Sequence, residues 1–186
     1  MIIFISGGVR SGKSSAAENM VQTFCTKRAV YIATSRQTDK EMQKRIQLHQ
    51  KERQAANTPW VTIEQSVNLQ QILPNLQSDD AILLDCVTNW LANELFLTEK
   101  RWQTKEGKQA VFRHMTETLD KLFAQSQTVV LVSNELFEAG VLEEPTYSYM
   151  KMLGKLHQYI VEKADVAICV EAGIYRFKKG KECVDI

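Results

Sequence analysis

No charge of either sign dominates this chain: 23 lysines and arginines stand against 22 aspartates and glutamates, a formal charge of +1. Nucleic acids and anionic membrane surfaces draw proteins through an excess of cations, so the balance gives no argument for either as a partner. Long apolar runs are missing too. None approaches the roughly 18 residues that a helix needs to cross a bilayer. The chain enters a strand-like run at Ile2 without the basic stretch that opens a secretory leader. The four cysteines, Cys25, Cys86, Cys169 and Cys183, are far apart, with no CxxC pair and no histidine at metal-ligand spacing. They read as reduced thiols of a soluble, cytoplasmic protein with no structural metal. Internal repeats, low-complexity tracts and linkers are absent as well. A chain of 186 residues is most simply one domain, 1–186, with room for a full core.

What is present is alternation. Short apolar runs recur at 2–5, 30–33, 81–84, 129–132 and 166–170, with longer amphipathic segments between them. Strands buried on both faces read as continuous apolar runs, so the pattern predicts an α/β fold with a mostly parallel central sheet. Residues 15–24 space Ala16, Ala17, Met20, Val21 and Phe24 as one helical face. Residues 60–64 alternate like a strand. The polar stretch 98–108 reads as a surface loop before a helix over 109–124, and the basic tail 177–181 reads as solvated.

The first apolar run ends in Gly7-Gly8-Val9-Arg10-Ser11-Gly12-Lys13-Ser14, which fits the phosphate-cradling pattern GxxxxGK[ST]. Gly7, Gly8 and Gly12 let the backbone take positive φ and approach a phosphate, so that successive N–H groups form an anion nest. The following helix adds the partial positive charge of its N-terminus. Lys13 meets the β- and γ-phosphates as a point charge, and Ser14 completes the shell of a Mg²⁺ bridging them. A strand-like run before the motif and a helix-like run after it are the setting that confirms such a loop.

Other candidates fall where a parallel sheet places ligands, at the carboxyl ends of strands. Thr34 and Ser35 close the second run; helix capping is the competing reading for both. Asp85 closes the run 81–84 in the manner of a Walker-B strand and could hold Mg²⁺ opposite Ser14, or cap the helix that begins near Val87. Glu64 ends the strand 60–64, where a carboxylate can accept hydrogen bonds from guanine. Residues 39–54 form a helix-like stretch polar nearly all round, with Arg45, His49 and Arg53 in one stripe at i, i+4 and i+8. Two flanking cations keep His49 neutral, with a lone pair able to attack phosphorus; a solvated helical face is the competing reading. His114 and His157 have no such setting and read as surface or packing residues.

In order and spacing, the phosphate loop, Tyr31 to Ser35, Asp39, Glu41-Met42, Arg45-Ile46, His49, Arg53, Trp60, Thr62, Glu64 and Leu84 to Leu91 with Asn93 resemble one family. It is the bifunctional adenosylcobinamide kinase / adenosylcobinamide-phosphate guanylyltransferase family of cobalamin assembly. The resemblance implies a three-layer, RecA-like P-loop NTPase fold, commonly a homotrimer, with ATP and GTP as substrates and Mg²⁺ as cofactor. It also implies two reactions. A nucleoside triphosphate phosphorylates the aminopropanol hydroxyl of adenosylcobinamide; GTP then gives its guanylyl group to a histidine, matched here by His49, from which the phosphorylated corrinoid takes it to form adenosylcobinamide-GDP. The phosphate loop, Thr34, Ser35, the turn Gln50-Lys51-Glu52-Arg53, Glu64 and Asp85 match positions that the family uses around GTP.

The second half of the chain follows the family less closely. Val129 to Glu135 matches a family strand ending in Asn-Glu, and Gly140-Val141 echoes the next element. Tyr149-Met150-Lys151 and His157-Gln158 then stand where the family carries Phe-Arg-Asp and Asn-Gln. These departures fall where corrinoid handling or a subunit contact is expected. They keep two other readings in play: a P-loop kinase or hydrolase with another acceptor, and a non-catalytic GTP-binding homologue.

Overall fold

The computed structural model describes residues 1–36, 58–97, 101–136 and 143–184. Seven strands form one sheet: β1 (Ile2–Gly7), β2 (Arg28–Ala33), β3 (Trp60–Glu64), β4 (Asp80–Asp85), β5 (Thr128–Asn134), β6 (Val166–Glu171) and β7 (Ile174–Lys179). Their order is β3-β2-β4-β5-β1-β6-β7, parallel throughout except for the antiparallel β6–β7 pair. Four helices are described: α1 (Lys13–Phe24), α2 (Val87–Phe96), α3 (Lys105–Gln125) and α4 (Thr146–Lys163). Among the described residues no helix is long and apolar enough to cross a membrane.

Two apolar clusters, one on each face of the sheet, make three layers. Alternate side chains of β1 divide between them: Ile3 and Ile5 join Ala16, Ala17, Met20 and Val21 of α1, whereas Phe4 joins the cluster of α2, α3 and α4. Both faces of the central strands are therefore buried, which is why these strands read as unbroken apolar runs. All five expected runs are strands. The predicted helix 15–24 begins two residues earlier, at Lys13.

Two local features differ from the expectations. Helix α3 starts at Lys105, inside the stretch read as a loop, because the Thr104 hydroxyl caps it by accepting from Gly107 N–H at 2.9 Å. Gly107 is needed there: a Cβ would stand 2.4 Å from the Arg101 carbonyl oxygen. The tail is not simply solvated, since residues 177–179 belong to β7. Ala172 and Gly173, at φ 49° and 79°, make the tight turn from β6. Lys178, Lys179 and Lys181 are exposed, but Phe177 packs on the α1-side cluster and Lys179 Nζ donates to the Val161 and Glu162 carbonyls, both at 3.1 Å.

The two histidines read as surface or packing residues both make defined contacts. His114 Nδ1 accepts from Gln70 Nε2 at 2.7 Å. His157 meets the Phe4 ring edge-on at 5.0 Å, its Nε2 lies 2.7 Å from Ser133 Oγ, and burial lowers its pKa from 6.5 to about 4. A histidine held neutral in the fold stabilises it fully above the unfolded pKa, and that contribution is lost as pH falls from about 6.5 to about 4. The expected loss is roughly 3 kcal/mol. Denaturant titrations at pH 7 and pH 4.5 should show a smaller drop for His157→Gln than for the unsubstituted protein. Equal drops would remove His157 from the acid response.

Candidate active site

The phosphate loop joins β1 to α1 and is tied on three sides. Ser11 N donates to the Gly8 carbonyl at 3.3 Å, Ala16 N to the Gly12 carbonyl at 3.0 Å, and Gly173 N, from the β6–β7 turn, to the Ser11 carbonyl at 2.9 Å. The C-terminal hairpin thus props the loop. Gly7 is fixed by close approach: a Cβ would lie 2.5 Å from the Val170 carbonyl oxygen and 2.6 Å from Ser11 Oγ. Gly12 is fixed by its φ of 96°. Gly8 departs from the sequence expectation, having neither a positive φ nor any atom within 4 Å of a Cβ. The second left-handed residue of the loop is Arg10, at φ 59°.

Lys13 is the first residue of α1 and is 5% exposed, with Nζ donating to the Gly8 carbonyl at 3.1 Å. Its ammonium therefore folds back over the nest. Ser14 follows, half-buried, while Val9 and Arg10 face solvent. The Ser11 hydroxyl is buried with no hydrogen-bond partner among the described residues. A buried polar atom left unpaired costs about 1–3 kcal/mol, a cost that a phosphate oxygen can remove.

Strand register brings the remaining candidates to the same edge. Glu64 pairs with Ala33, Ala33 with Asp85, Asp85 with Val132, and Val132 with Ile5. Asp85 is thus two strands from β1, about 10 Å, and Glu64 is four strands away, about 19 Å. Asp85 is half-buried and its Oδ2 accepts from the Tyr31 hydroxyl at 3.0 Å. Glu64 is exposed on the edge strand.

Thr34 is fully buried. Its hydroxyl donates to the Cys86 carbonyl at 2.8 Å and accepts from Cys86 N–H at 2.7 Å. That hydroxyl clamps the ends of β2 and β4 together; Ser35 beside it is half-buried. Asn93 reinforces the clamp, its Nδ2 donating to the Thr34 and Ser66 carbonyls at 2.9 and 3.1 Å. His49, Gln50, Lys51, Glu52 and Arg53, and the expected helix 39–54 that carries them, lie outside the described residues.

Sequence reasoning gave no site role to the β6–β7 turn that props the loop or to the carboxylates beside it. Glu135 follows the last residue of β5, and Glu171 ends β6. Both line an open cleft of about 660 Å³ with residues 8–11 of the loop. Cys169, between them, donates its Sγ to Glu135 Oε2 at 3.1 Å; burial and that carboxylate raise its pKa to about 11. The rule that singled out Asp85, a polar residue closing an apolar strand, also applies to Asn134-Glu135 and to Glu171.

Of the positions that depart from the family pattern, His157 is packed against Phe4 inside the fold. Lys151 lies between α3 and α4, in a groove of about 750 Å³ with Lys105, Lys108, Arg113 and Lys155. Helix α4 also reaches the site's edge, where the Tyr149 hydroxyl donates to the Thr88 carbonyl at 3.0 Å. Thr88 Oγ1 in turn accepts from Asn134 N–H at 2.8 Å.

A glycine loop with a buried lysine at a helix N-terminus, on the carboxyl edge of a three-layer parallel sheet, defines a P-loop nucleotide-binding protein. A family model described as cobinamide kinase / cobinamide phosphate guanyltransferase matches residues 3–176. The chain belongs to that family. It is 34% identical to the bifunctional adenosylcobalamin biosynthesis protein CobU of Salmonella typhimurium, over 94% of this chain and 97% of that protein. Similar values hold for CobP of Pseudomonas aeruginosa, at 34% identity over 95% and 96%, and for CobU of Escherichia coli, at 29% over 94% and 97%. Among solved structures, the flagellar accessory protein FlaH of Methanocaldococcus jannaschii superimposes with a TM-score of 0.49 at 15% identity, over 96% of this chain and 77% of that one. The RadB recombinase gives 0.48 at 12%, over 90% and 73%.

Proposed function

We infer that this protein is a cobinamide kinase and cobinamide phosphate guanylyltransferase. It phosphorylates the aminopropanol hydroxyl of adenosylcobinamide with a nucleoside triphosphate, then joins GMP from GTP to the product through a guanylyl-histidine at His49. The observation that carries this reading is the family match over residues 3–176, which includes the phosphate loop and the stretch bearing His49. The tied loop supports it: Lys13 opens α1 and folds back on the Gly8 carbonyl, and positioning with charge stabilisation is most of what phosphoryl transfer requires.

Within this reading Gly7 to Ser14 hold the β- and γ-phosphates. Ser35, Glu64 and the turn Gln50-Lys51-Glu52-Arg53 serve the nucleotide, and Thr34 acts by clamping the strand ends. Ser14 and Asp85 suit Mg²⁺, since a hydroxyl and a carboxylate are hard oxygen donors. Among the described residues no group of three or more His, Cys, Asp or Glu is placed to hold a metal, so the phosphates themselves would supply much of the shell. The cation, when bound, neutralises charge on the transferred phosphoryl group. The enzyme works in the cytoplasm as a homotrimer, each chain a single catalytic domain.

The test is triphosphate turnover measured with and without adenosylcobinamide, with the corrinoid product identified by mass. Stimulation by cobinamide, with one phosphoryl group gained per triphosphate consumed, is expected. Turnover indifferent to cobinamide would mean that the acceptor is a different molecule.

A further inference from the structure

An open cleft lies beside the phosphate loop. Its walls are residues 8–11 on one side and the ends of β5 and β6 on the other, with Glu135, Leu136, Val170 and Glu171 among the lining residues. At about 660 Å³ it is of the size that small-molecule ligands occupy. Val9, 73% exposed, extends an apolar face along its loop side.

Glu135 is held tightly at this place. Its backbone N–H donates to the Gly7 carbonyl at 3.0 Å, so it stands level with the first glycine of the loop. Its side chain then crosses the end of β1, because β1 lies between β5 and β6 and Glu135 Oε2 accepts from Cys169 Sγ on β6 at 3.1 Å. Two carboxylates beside a site for a polyanionic triphosphate repel it. Glu171 is engaged by Arg176, Oε2 to Nε at 3.0 Å, whereas among the described residues Glu135 is met by a thiol, a weak donor.

The chemistry of the two reactions selects between the uses of such a carboxylate. An imidazole attacks phosphorus with a lone pair, and a phosphate monoester attacks with an oxygen already ionised. Only the alcohol of the kinase step has a proton to lose from its attacking atom. We propose that Glu135 is the general base of the kinase reaction and that the cleft between the phosphate loop and the ends of β5 and β6 receives the acceptor's hydroxyl arm. The proposal rests on the kinase reading given above. The hydroxyl oxygen forms its bond to the γ-phosphorus as the bond from that phosphorus to the β-phosphate bridging oxygen breaks. The nucleoside diphosphate leaves with that electron pair, and the hydroxyl proton passes to Glu135 and then to water. Val9 and Leu136 contact the apolar part of the arm.

The decisive variant is Glu135→Gln, which keeps the side chain's shape and an oxygen for the Cys169 thiol. Phosphorylation of cobinamide is expected to fall in kcat by about a hundredfold or more, the usual weight of a general base. Covalent labelling by GTP and the half-saturating Mg²⁺ concentration should stay within threefold of the parent. Four results would overturn the proposal: kinase kcat of Glu135→Gln within threefold of the parent; recovery of its activity at raised Mg²⁺, which would make Glu135 a metal ligand; equal loss of kinase and labelling; or a hundredfold loss in Glu171→Gln alone. A parent protein that binds triphosphate yet never phosphorylates cobinamide would instead sink the kinase reading, and is scored before any variant is made.

Discussion

Lys13→Ala should lower corrinoid phosphorylation and guanylyl transfer together, each by about a thousandfold or more, corresponding to roughly 4 kcal/mol of lost transition-state stabilisation. The ammonium belongs to the first residue of α1, which is 5% exposed. Its Nζ donates to the Gly8 carbonyl at 3.1 Å. A phosphate oxygen is the stronger partner, since hydrogen bonds between ionised groups are worth about twice neutral ones. Folding should be spared, because Gly8 is exposed and its carbonyl can turn to water. The measurement is kcat/KM for both half-reactions beside a melting curve. A variant that melts normally yet keeps either activity would take Lys13 out of that reaction. Lys13→Arg should not restore the rate, because a planar guanidinium cannot occupy the narrow space between Gly8 and the helix end as a point charge.

The architecture was legible from the sequence where strands are buried on both faces. Ile2–Gly7, Arg28–Ala33, Asp80–Asp85, Thr128–Asn134 and Val166–Glu171 contain apolar runs because most of their positions are buried, Glu171 at the end of β6 being the exposed one. β7 was not legible for the opposite reason. It is an edge strand with one face in solvent, so its sequence alternates Tyr175, Phe177 with Arg176, Lys178 and resembles a basic tail. The onset of α3 was hidden by Gly107, a residue that ordinarily marks a loop but here admits the Arg101 carbonyl.

The places of Gly12, Lys13 and Asp85 at the ends of β1 and β4 could be read from local pattern alone, because the loop and the strand that ends in Asp85 are each continuous in sequence. Through-space relations could not be placed in that way. Nothing local reveals that the turn at Gly173 props Ser11, that Arg10 rather than Gly8 takes the second left-handed position, or that the Thr34 hydroxyl is spent on Cys86. Glu135 belongs to the same class. Its importance lies in crossing β1 to reach Cys169, a relation between strands 5 and 6 that only the sheet order creates.

His49→Ala should abolish the covalent guanylyl adduct while leaving GTP affinity within a few-fold. The step assigned to this side chain forms one nitrogen–phosphorus bond at the α-phosphorus and breaks the bond to pyrophosphate, so nothing but the imidazole lone pair can stand in for it. On the proposed reading affinity resides elsewhere, in the backbone nest, the α1 N-terminus and Lys13. Intact mass after incubation with GTP and Mg²⁺ reads the adduct directly. A guanylyl-sized, acid-labile gain is expected with GTP, none with ATP, and none in the variant. Phosphorylation of cobinamide separates the roles further: the kinase step transfers the γ-phosphoryl group straight to an alcohol and has no use for a histidine nucleophile. His49→Ala should therefore retain most kinase activity and lose the transferase, the mirror image of Glu135→Gln. An adduct that persists in His49→Ala would place the nucleophile on another residue, and a kinase lost in parallel would mean that the stretch around His49 shapes the triphosphate site itself.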